Sequence, residues 1–343
     1  MPDGTLSVAV VIPNRNDARY LPACLSSVLG QRRPPDEVIF VDDQSTDDSV
    51  VRARSLLSDC PVARIVENPA KLGTAGALNV GLRLAQSEFV LFLSSNDFIS
   101  PELLARATSC LGACRSVGIW SAMMWDVYER GDRRLYPSAV IAQRDACFPP
   151  SVCRRLAYKL GSWFTTIIYN RKALLEIDGF DASLEGLSDL FAALVLADRR
   201  GAAFSPAPLG IRRIHEDSLL SSTLCSDQKL AAVVQQFQRR GKELAPELFT
   251  RRMLARTELR LHFASVRASG GTTLPYVLSR TGAVKRALIT ALAMPASSRL
   301  RRLILGPIFA VMRPFDLVPT IRYRLLGSLI VRVRETAEAK ARH

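Results

Sequence analysis

Amides, hydroxyls and carboxylates gather at three points near the start of the chain. They are Asn14, Asn16 and Asp17 in VAVVIPNRND, Asp42 and Asp43 in EVIFVDDQSTDDS, and Ser95, Asn96 and Asp97 in EFVLFLSSNDF. Such groups accept hydrogen bonds from donors such as a base edge or a sugar diol, and oxygen ligands are what a hard divalent cation needs. Each cluster follows a short continuous apolar run. Runs of this kind fit strands buried on both faces of a parallel sheet, and ligands bind at the carboxyl edge where such strands end. Asn14, Asp42, Asp43, Asn96 and Asp97 are therefore expected at one rim.

The intervening segments supply the positioning elements. Apolar residues recur at helical spacing over 17–29, 50–57 and 74–85, the second behind the capping run Thr46-Asp47-Asp48-Ser49. With Arg64–Asn68 as a third strand, the order is strand, helix, strand, helix, strand, helix, strand. That order predicts an α/β domain of Rossmann-like, doubly wound type. For either acid of the Asp42-Asp43 pair, the alternative role is a cap on the helix beginning near Asp48. Gly73, Gly76 and Gly81 follow Lys71 and would let backbone approach a ligand, although no Gly-Lys-Ser/Thr ending of a Walker loop occurs.

VVIPNRND, VDDQSTDDS, NPAKLGTAGALNVGL at 68–82 and FLSSNDF together resemble, in order and spacing, the nucleotide-binding half of inverting family 2 glycosyltransferases of the GT-A fold. The resemblance continues through Gly179-Phe180-Asp181, Gly186–Leu190 and Arg212-Arg213-Ile214-His215, over roughly the first 220 residues. It implies a UDP- or dTDP-linked sugar donor, a saccharide or lipid-linked acceptor and one displacement with inversion. Carried over position by position, it places Pro13, Asn14, Asn16, Asp42, Asp43, Lys71, Gly73, Asn79, Ser95, Asn96, Asp97 and Arg213 against the donor. It also makes Asp189 the general base, with Glu185 as a fallback. The family pattern has Glu before that base, where this chain has Ser188.

A second departure concerns the metal. The family pattern Asp-x-Asp, whose carboxylates hold Mg²⁺ or Mn²⁺ against the leaving diphosphate, is Ser94-Ser95-Asn96 here, followed by Asp97. Three outcomes follow. Asp97, Asn96 and His215 hold a divalent cation weakly; Arg212, Arg213 or Lys71 neutralise phosphate directly; or the domain has lost catalysis. In the last case it would serve as a nucleotide-sugar-binding or membrane assembly partner.

Between these sites, 100–111 reads as a helix and 117–125 as a strand. The mixed stretch 131–150 is expected to form the acceptor-side loop. Trp120, Trp125, Tyr128 and Trp163 could stack on sugar faces there, core packing being the alternative for each. The seven cysteines are odd in number and scattered, with no spacing that completes a zinc set, so reduced, mostly buried thiols are expected.

Charge divides the 343 residues unevenly. Residues 1–229, read as the GT-A domain, hold 25 Lys/Arg and 26 Asp/Glu, whereas residues 230–343 hold 21 and 6. Nearly all of the net +14 thus belongs to a basic, mainly helical C-terminal region. There, arginines interleave with apolar clusters such as LRRLILGPIFAVM, a composition suited to lying at an anionic membrane surface and too short in its apolar runs to span one. Neither zinc-ligand spacing nor an aromatic-interleaved basic strand points to nucleic acid. With no apolar leader at the start, a cytoplasmic location is expected, at the inner face of the cell membrane.

Overall fold

The computed structural model describes residues 6–128, 133–134, 142, 144–160, 166–214, 226–251, 253–254, 257–258 and 261. In chain order the elements are β1 (Val8–Asn14), α1 (Leu21–Leu29), β2 (Glu37–Asp42), α2 (Ser49–Leu56), β3 (Ala63–Glu67), α3 (Gly73–Leu84), β4 (Phe89–Phe92), β5 (Phe98–Ile99) and α4 (Leu103–Ala113). They continue with β6 (Ile119–Tyr128), β7 (Arg133–Arg134), β8 (Ala146–Phe148), α5 (Pro150–Leu160), β9 (Ile168–Asn170) and α6 (Arg171–Leu175). A 3₁₀ turn (Ala182–Leu187), α7 (Ser188–Arg200), β10 (Ala202–Ile214) and α8 (Asp227–Leu244) complete them.

One sheet runs in the order β3-β2-β1-β4-β9-β6-β10-β5, with β7 beside β6 and β8 beside β10. The first four strands are parallel, as their uninterrupted apolar runs predict; Val8–Ile12 and Val38–Val41 are wholly buried. The sheet is mixed beyond that point, because β9 pairs antiparallel with both β4 and β6. Ile168-Tyr169-Asn170 is too short to show a period in sequence and is held by its buried partners.

Helices α1 and α4 cover one face, where Leu21, Leu25, Val28, Leu103 and Leu104 meet the strands around the fully buried Trp120. On the other face lie α3, α5 and α7. Gly81 lets α3 settle directly on β1, since a Cβ there would come within 2.2 Å of Val11. The division at residue 229 falls inside α8. Leu230, Val233 and Phe237 of that helix join the α7 core, with Phe191, Phe237 and Phe249 rings about 5.4–5.5 Å apart. The strongly basic tail lies outside the described residues. Among the described residues no helix is long and apolar enough to cross a membrane.

Candidate functional site

The polar tips of β1, β2 and β4 do converge, and each tip is built by hydrogen bonds between loops far apart in sequence. Asn14 and Asp42 are the last residues of paired strands, in register with one another. Asn14 Nδ2 donates to Asp42 Oδ1 at 2.8 Å and to Ser45 Oγ at 3.0 Å, while Ser45 N and Oγ donate to Asp42 at 2.8 and 2.6 Å. Pro13 is half-buried beneath, and the exposed Asn16 adopts a left-handed φ of 57° that asparagine tolerates. Its Oδ1 accepts from Thr46 N at 2.7 Å. Asn14 Oδ1 is buried and accepts no hydrogen bond, so the cradle keeps an acceptor in reserve beside Asp42.

Asp43 turns the other way and organises the glycine loop. Asn68 Nδ2 and Leu72 N donate to its Oδ1 at 2.9 and 2.8 Å, and Gly73 N donates to Oδ2 at 2.8 Å. Gly73 has φ 75°, a left-handed conformation that aims two successive N–H groups at one carboxylate without a Cβ penalty. Neither acid caps α2: its N-cap, Asp48, makes no side-chain cap bond, and Asp47 takes Ser49 N instead. Lys71 is exposed at the mouth of this loop.

Asn79 has a structural role on α3. Its Nδ2 donates to Phe180 O and its Oδ1 accepts from Phe180 N, both at 2.8 Å. Both ends of the amide are thus spent on the backbone of the Gly179-Phe180 turn, and Gly179, at φ 76°, leaves room for them, since a Cβ there would sit 2.3 Å from Asn79 Oδ1. Asn79 thus fastens α3 to the turn that precedes Asp189.

Asp189 opens α7 with its own backbone N–H neighbour, Leu190 N, donating to Oδ1 at 2.7 Å. Burial pushes its carboxyl up from 3.8 to about 6, although the Leu190 N–H, its own N–H and the Arg212 charge pull it down. A carboxylate of that kind is ionised near neutral pH and still basic enough to take a proton. The expected fallback, Glu185, sits at φ 44° with its carboxylate 3.7 Å from Lys229 Nζ. Ser188, in the position of the family's Glu, is buried with an unpartnered Oγ.

Strand β10 links this acid to the β4 tip. Arg212 presents its charge to Asp189, whereas the next residue, Arg213, donates its backbone N–H to Asp97 Oδ1 at 2.9 Å. The Arg213 guanidinium lies over the rings of Tyr20 and Phe98, at 5.2 and 5.1 Å, with its buried Nε lacking an acceptor. Asp189 thus meets Arg212 and Asp97 meets Arg213, consecutive residues of one strand.

The Ser94–Asp97 turn fits a hard divalent cation poorly. Ser94 is exposed, Asn96 half-buried, and the buried Ser95 gives its hydroxyl proton to Asp17 Oδ2 at 2.6 Å. Asp97, the single carboxylate of the turn, is buried and one of its oxygens already accepts from Arg213. It also faces the buried thiol of Cys24, which burial, then Asp97 and Asp17, push well above the ordinary range against the pull of Arg213. His215 lies outside the described residues. Among those described, three or more His, Cys, Asp or Glu ligands converge closely only at a set of cysteines elsewhere.

Trp120 is fully buried and belongs to the core, not to a sugar platform; Trp125 is half-buried on β6 opposite Ile211. The Tyr128 side chain and Trp163 lie outside the described residues. An apolar hollow of about 430 Å³ exists at the opposite end of the sheet, lined by Leu29, Pro34, Leu56 and Val62, and plays no part in this site.

Residues 9–173 match the model of glycosyl transferase family 2. Over this segment, just under half of the chain, the sequence is similar to family 2 glycosyltransferases. An uncharacterized glycosyltransferase of Nostoc sp. is 30% identical over 168 residues, 45% of this chain and 51% of that protein. The chain thus spans about half the length of this curated relative. Two solved structures share the GT-A architecture. S. aureus TarS 1-349 in complex with UDP-GlcNAc has a TM-score of 0.60 at 20% identity, over 84% of this chain and 79% of that one. The mannosyltransferase PcManGT from Pyrobaculum calidifontis, in complex with GDP-Man and Mn²⁺, has a TM-score of 0.56 at 21% identity, over 96% and 88%. The likeness of both establishes the GT-A fold of this chain.

Proposed function

We propose that this chain transfers a sugar from a nucleotide diphosphate donor, UDP- or dTDP-linked, to a hydroxyl of a saccharide or lipid-linked acceptor, inverting the anomeric centre, in the assembly of a cell-surface polysaccharide or glycan. The observation that carries this reading is the pairing of Asp189, lifted to about 6, with Arg212 on the strand whose next residue anchors Asp97. It supports a base near the rim where nucleotide-sugar ligands bind in folds of this class. Asp189 takes the proton of the acceptor hydroxyl as that oxygen attacks the anomeric carbon. The bond from that carbon to the diphosphate breaks at the same time, and its electron pair leaves with the phosphate oxygen.

The nucleotide would lie across Pro13, Asn14, Asn16, Asp42 and Asp43. Lys71, Gly73, Ser95, Asn96, Asp97 and Arg213 would edge the diphosphate and sugar. Fixed cations at Arg212, Arg213 and Lys71 supply the compensating charge, which stabilises a departing diphosphate as a metal otherwise would. The basic C-terminal region would hold the enzyme at the inner, anionic face of the cell membrane, within reach of lipid-linked acceptors.

Calorimetric titration with UDP and dTDP, with and without Mn²⁺, tests the donor site, and nucleoside diphosphate release from a donor and acceptor panel tests transfer. Binding that survives chelation, with turnover lost in Asp189→Asn, is expected. Absence of binding to any nucleotide under either condition would leave only a non-catalytic assembly role.

A further inference from the structure

Cys110, Cys114 and Cys147 are brought together by parts of the fold that have no role in the chemistry above. Cys110 lies in the last turn of α4 and Cys114 is the residue that caps its end, four residues on. Cys147 arrives from β8, the short strand paired antiparallel with β10 opposite Ala203. The three sulfurs all lie within 4.8 Å of one another. Sequence spacing could not show this, because Cys147 is 33 residues from Cys114. The expectation of scattered reduced thiols is corrected in the same way: Cys114 and Cys147 are joined in a disulfide, with Cys110 buried beside it.

A disulfide employs two of these sulfurs and leaves the third unexplained. Two further features surround the cluster. Asp145, two residues before Cys147, is held by Arg106 of α4 at 2.8 and 2.9 Å and by Ser205 Oγ at 2.8 Å, placing a fixed negative charge close to Cys110. Trp120 Nε1 is buried with no acceptor in hydrogen-bonding range, although the indole is near enough to favour a negative charge on the Cys110 sulfur. A thiolate accepts a hydrogen bond far better than a thiol, so ionised sulfur would give this N–H the acceptor it lacks.

We propose that Cys110, Cys114 and Cys147 of the reduced protein form a three-thiolate site for a thiophilic d¹⁰ cation of the Zn²⁺ type, its fourth position taken by water. Soft sulfur ligands select such an ion over the hard cations that oxygen sites hold. Binding replaces three thiol protons by one divalent ion. The ion would clip the end of α4 to β8, a strand within the stretch expected to form the acceptor-side loop. The disulfide is the oxidised, metal-free alternative for the same clip.

The site is tested on the full chain. A phosphine opens the disulfide, taking an oxygen from water to become its oxide while the two sulfurs gain that water's two protons. After its removal, Co²⁺ is titrated as the spectroscopic probe, with Zn²⁺ as competitor. One equivalent of Co²⁺ should give a thiolate-to-metal charge-transfer band that Zn²⁺ abolishes. Cys110→Ser should weaken Co²⁺ binding at least tenfold yet still form the Cys114–Cys147 disulfide under oxidant, read by mass, and Cys24→Ser should leave the band unchanged. Cys147→Ser, at an exposed position, repeats the test without touching the core. A reduced wild-type protein with no band, or a band of equal strength in Cys110→Ser and Cys147→Ser, overturns the proposal and leaves Cys110 as a packing residue. Neither result depends on sugar transfer.

Discussion

Replacing Asp189 with asparagine should remove catalysis and stabilise the fold, and the size of the second effect follows from the site. A carboxyl raised from 3.8 to about 6 is protonated in the folded chain over a range where the unfolded chain has released its proton. Stability therefore falls as pH rises through that window, and the whole cost is present above pH 6. At about 1.4 kcal/mol per pH unit the cost is about 3 kcal/mol, and partial solvent access at Asp189 brings it to about 2–3 kcal/mol. Asparagine is isosteric, keeps an acceptor for Leu190 N and never ionises. Urea denaturation at pH 8 should accordingly show the variant about 2–3 kcal/mol more stable than the wild type, with the gain shrinking to about 1 kcal/mol at pH 4.5. Turnover, measured as nucleoside diphosphate release, should drop at least a hundredfold, the scale expected when a general base is lost. A variant that is less stable at pH 8, or equally favoured at both pH values, would show that desolvation is not what lifts this acid, and retained turnover would remove it from the base role.

Arg212→Gln removes the charge that holds Asp189 down, so the acidic limb of the pH–rate profile should move to higher pH; an unmoved limb would separate the two residues. Asn79→Ala breaks both bonds to Phe180 and should cost about 1–3 kcal/mol in chemical denaturation, lowering turnover more than donor affinity if α3 serves to carry Asp189. Gly81→Ala drives a methyl into Val11 and should cost about 1–3 kcal/mol, whereas the same change at Gly112, which has open space, should be within about 0.5 kcal/mol or stabilising. Asp43→Ala frees Leu72 N, Gly73 N and Asn68 together, and calorimetry should then show UDP binding at least tenfold weaker.

The rim was legible because each of its tips follows a short apolar run that fits a strand buried on both faces. Helices predicted at 17–29, 50–57 and 74–85 form at Leu21–Leu29, Ser49–Leu56 and Gly73–Leu84. Their ends shift where the first turn is spent on loop contacts, such as Tyr20 N to Asp17 O. Other features depend on pairings that leave no local pattern. Asn79 meets Phe180 across 101 residues, β9 is three residues long, and Cys147 reaches α4 only because β8 pairs with β10. Trp120 shows the reverse difficulty: an aromatic residue reads alike in a core and in a sugar platform, and its strand register decides for the core.

On the reading proposed above, the neutral Ser94 and Asn96 would have a physical counterpart in β10. Two carboxylates beside a diphosphate are favourable only while a cation sits between them; without one, each repels the phosphates at close range in a site of low dielectric. Neutral residues at both positions are thus what a cation-poor site requires, and a single reversion such as Asn96→Asp would add repulsion without completing a ligand set. Asp97 would escape this conflict because it is buried and held by Arg213 N. Its charge fixes Arg213 and leaves the β10 arginines as the positive side of the cleft. On the reading proposed above, loop neutrality and strand charge would form one arrangement, in which the β10 arginine side chains compensate the leaving group without waiting for an ion to bind.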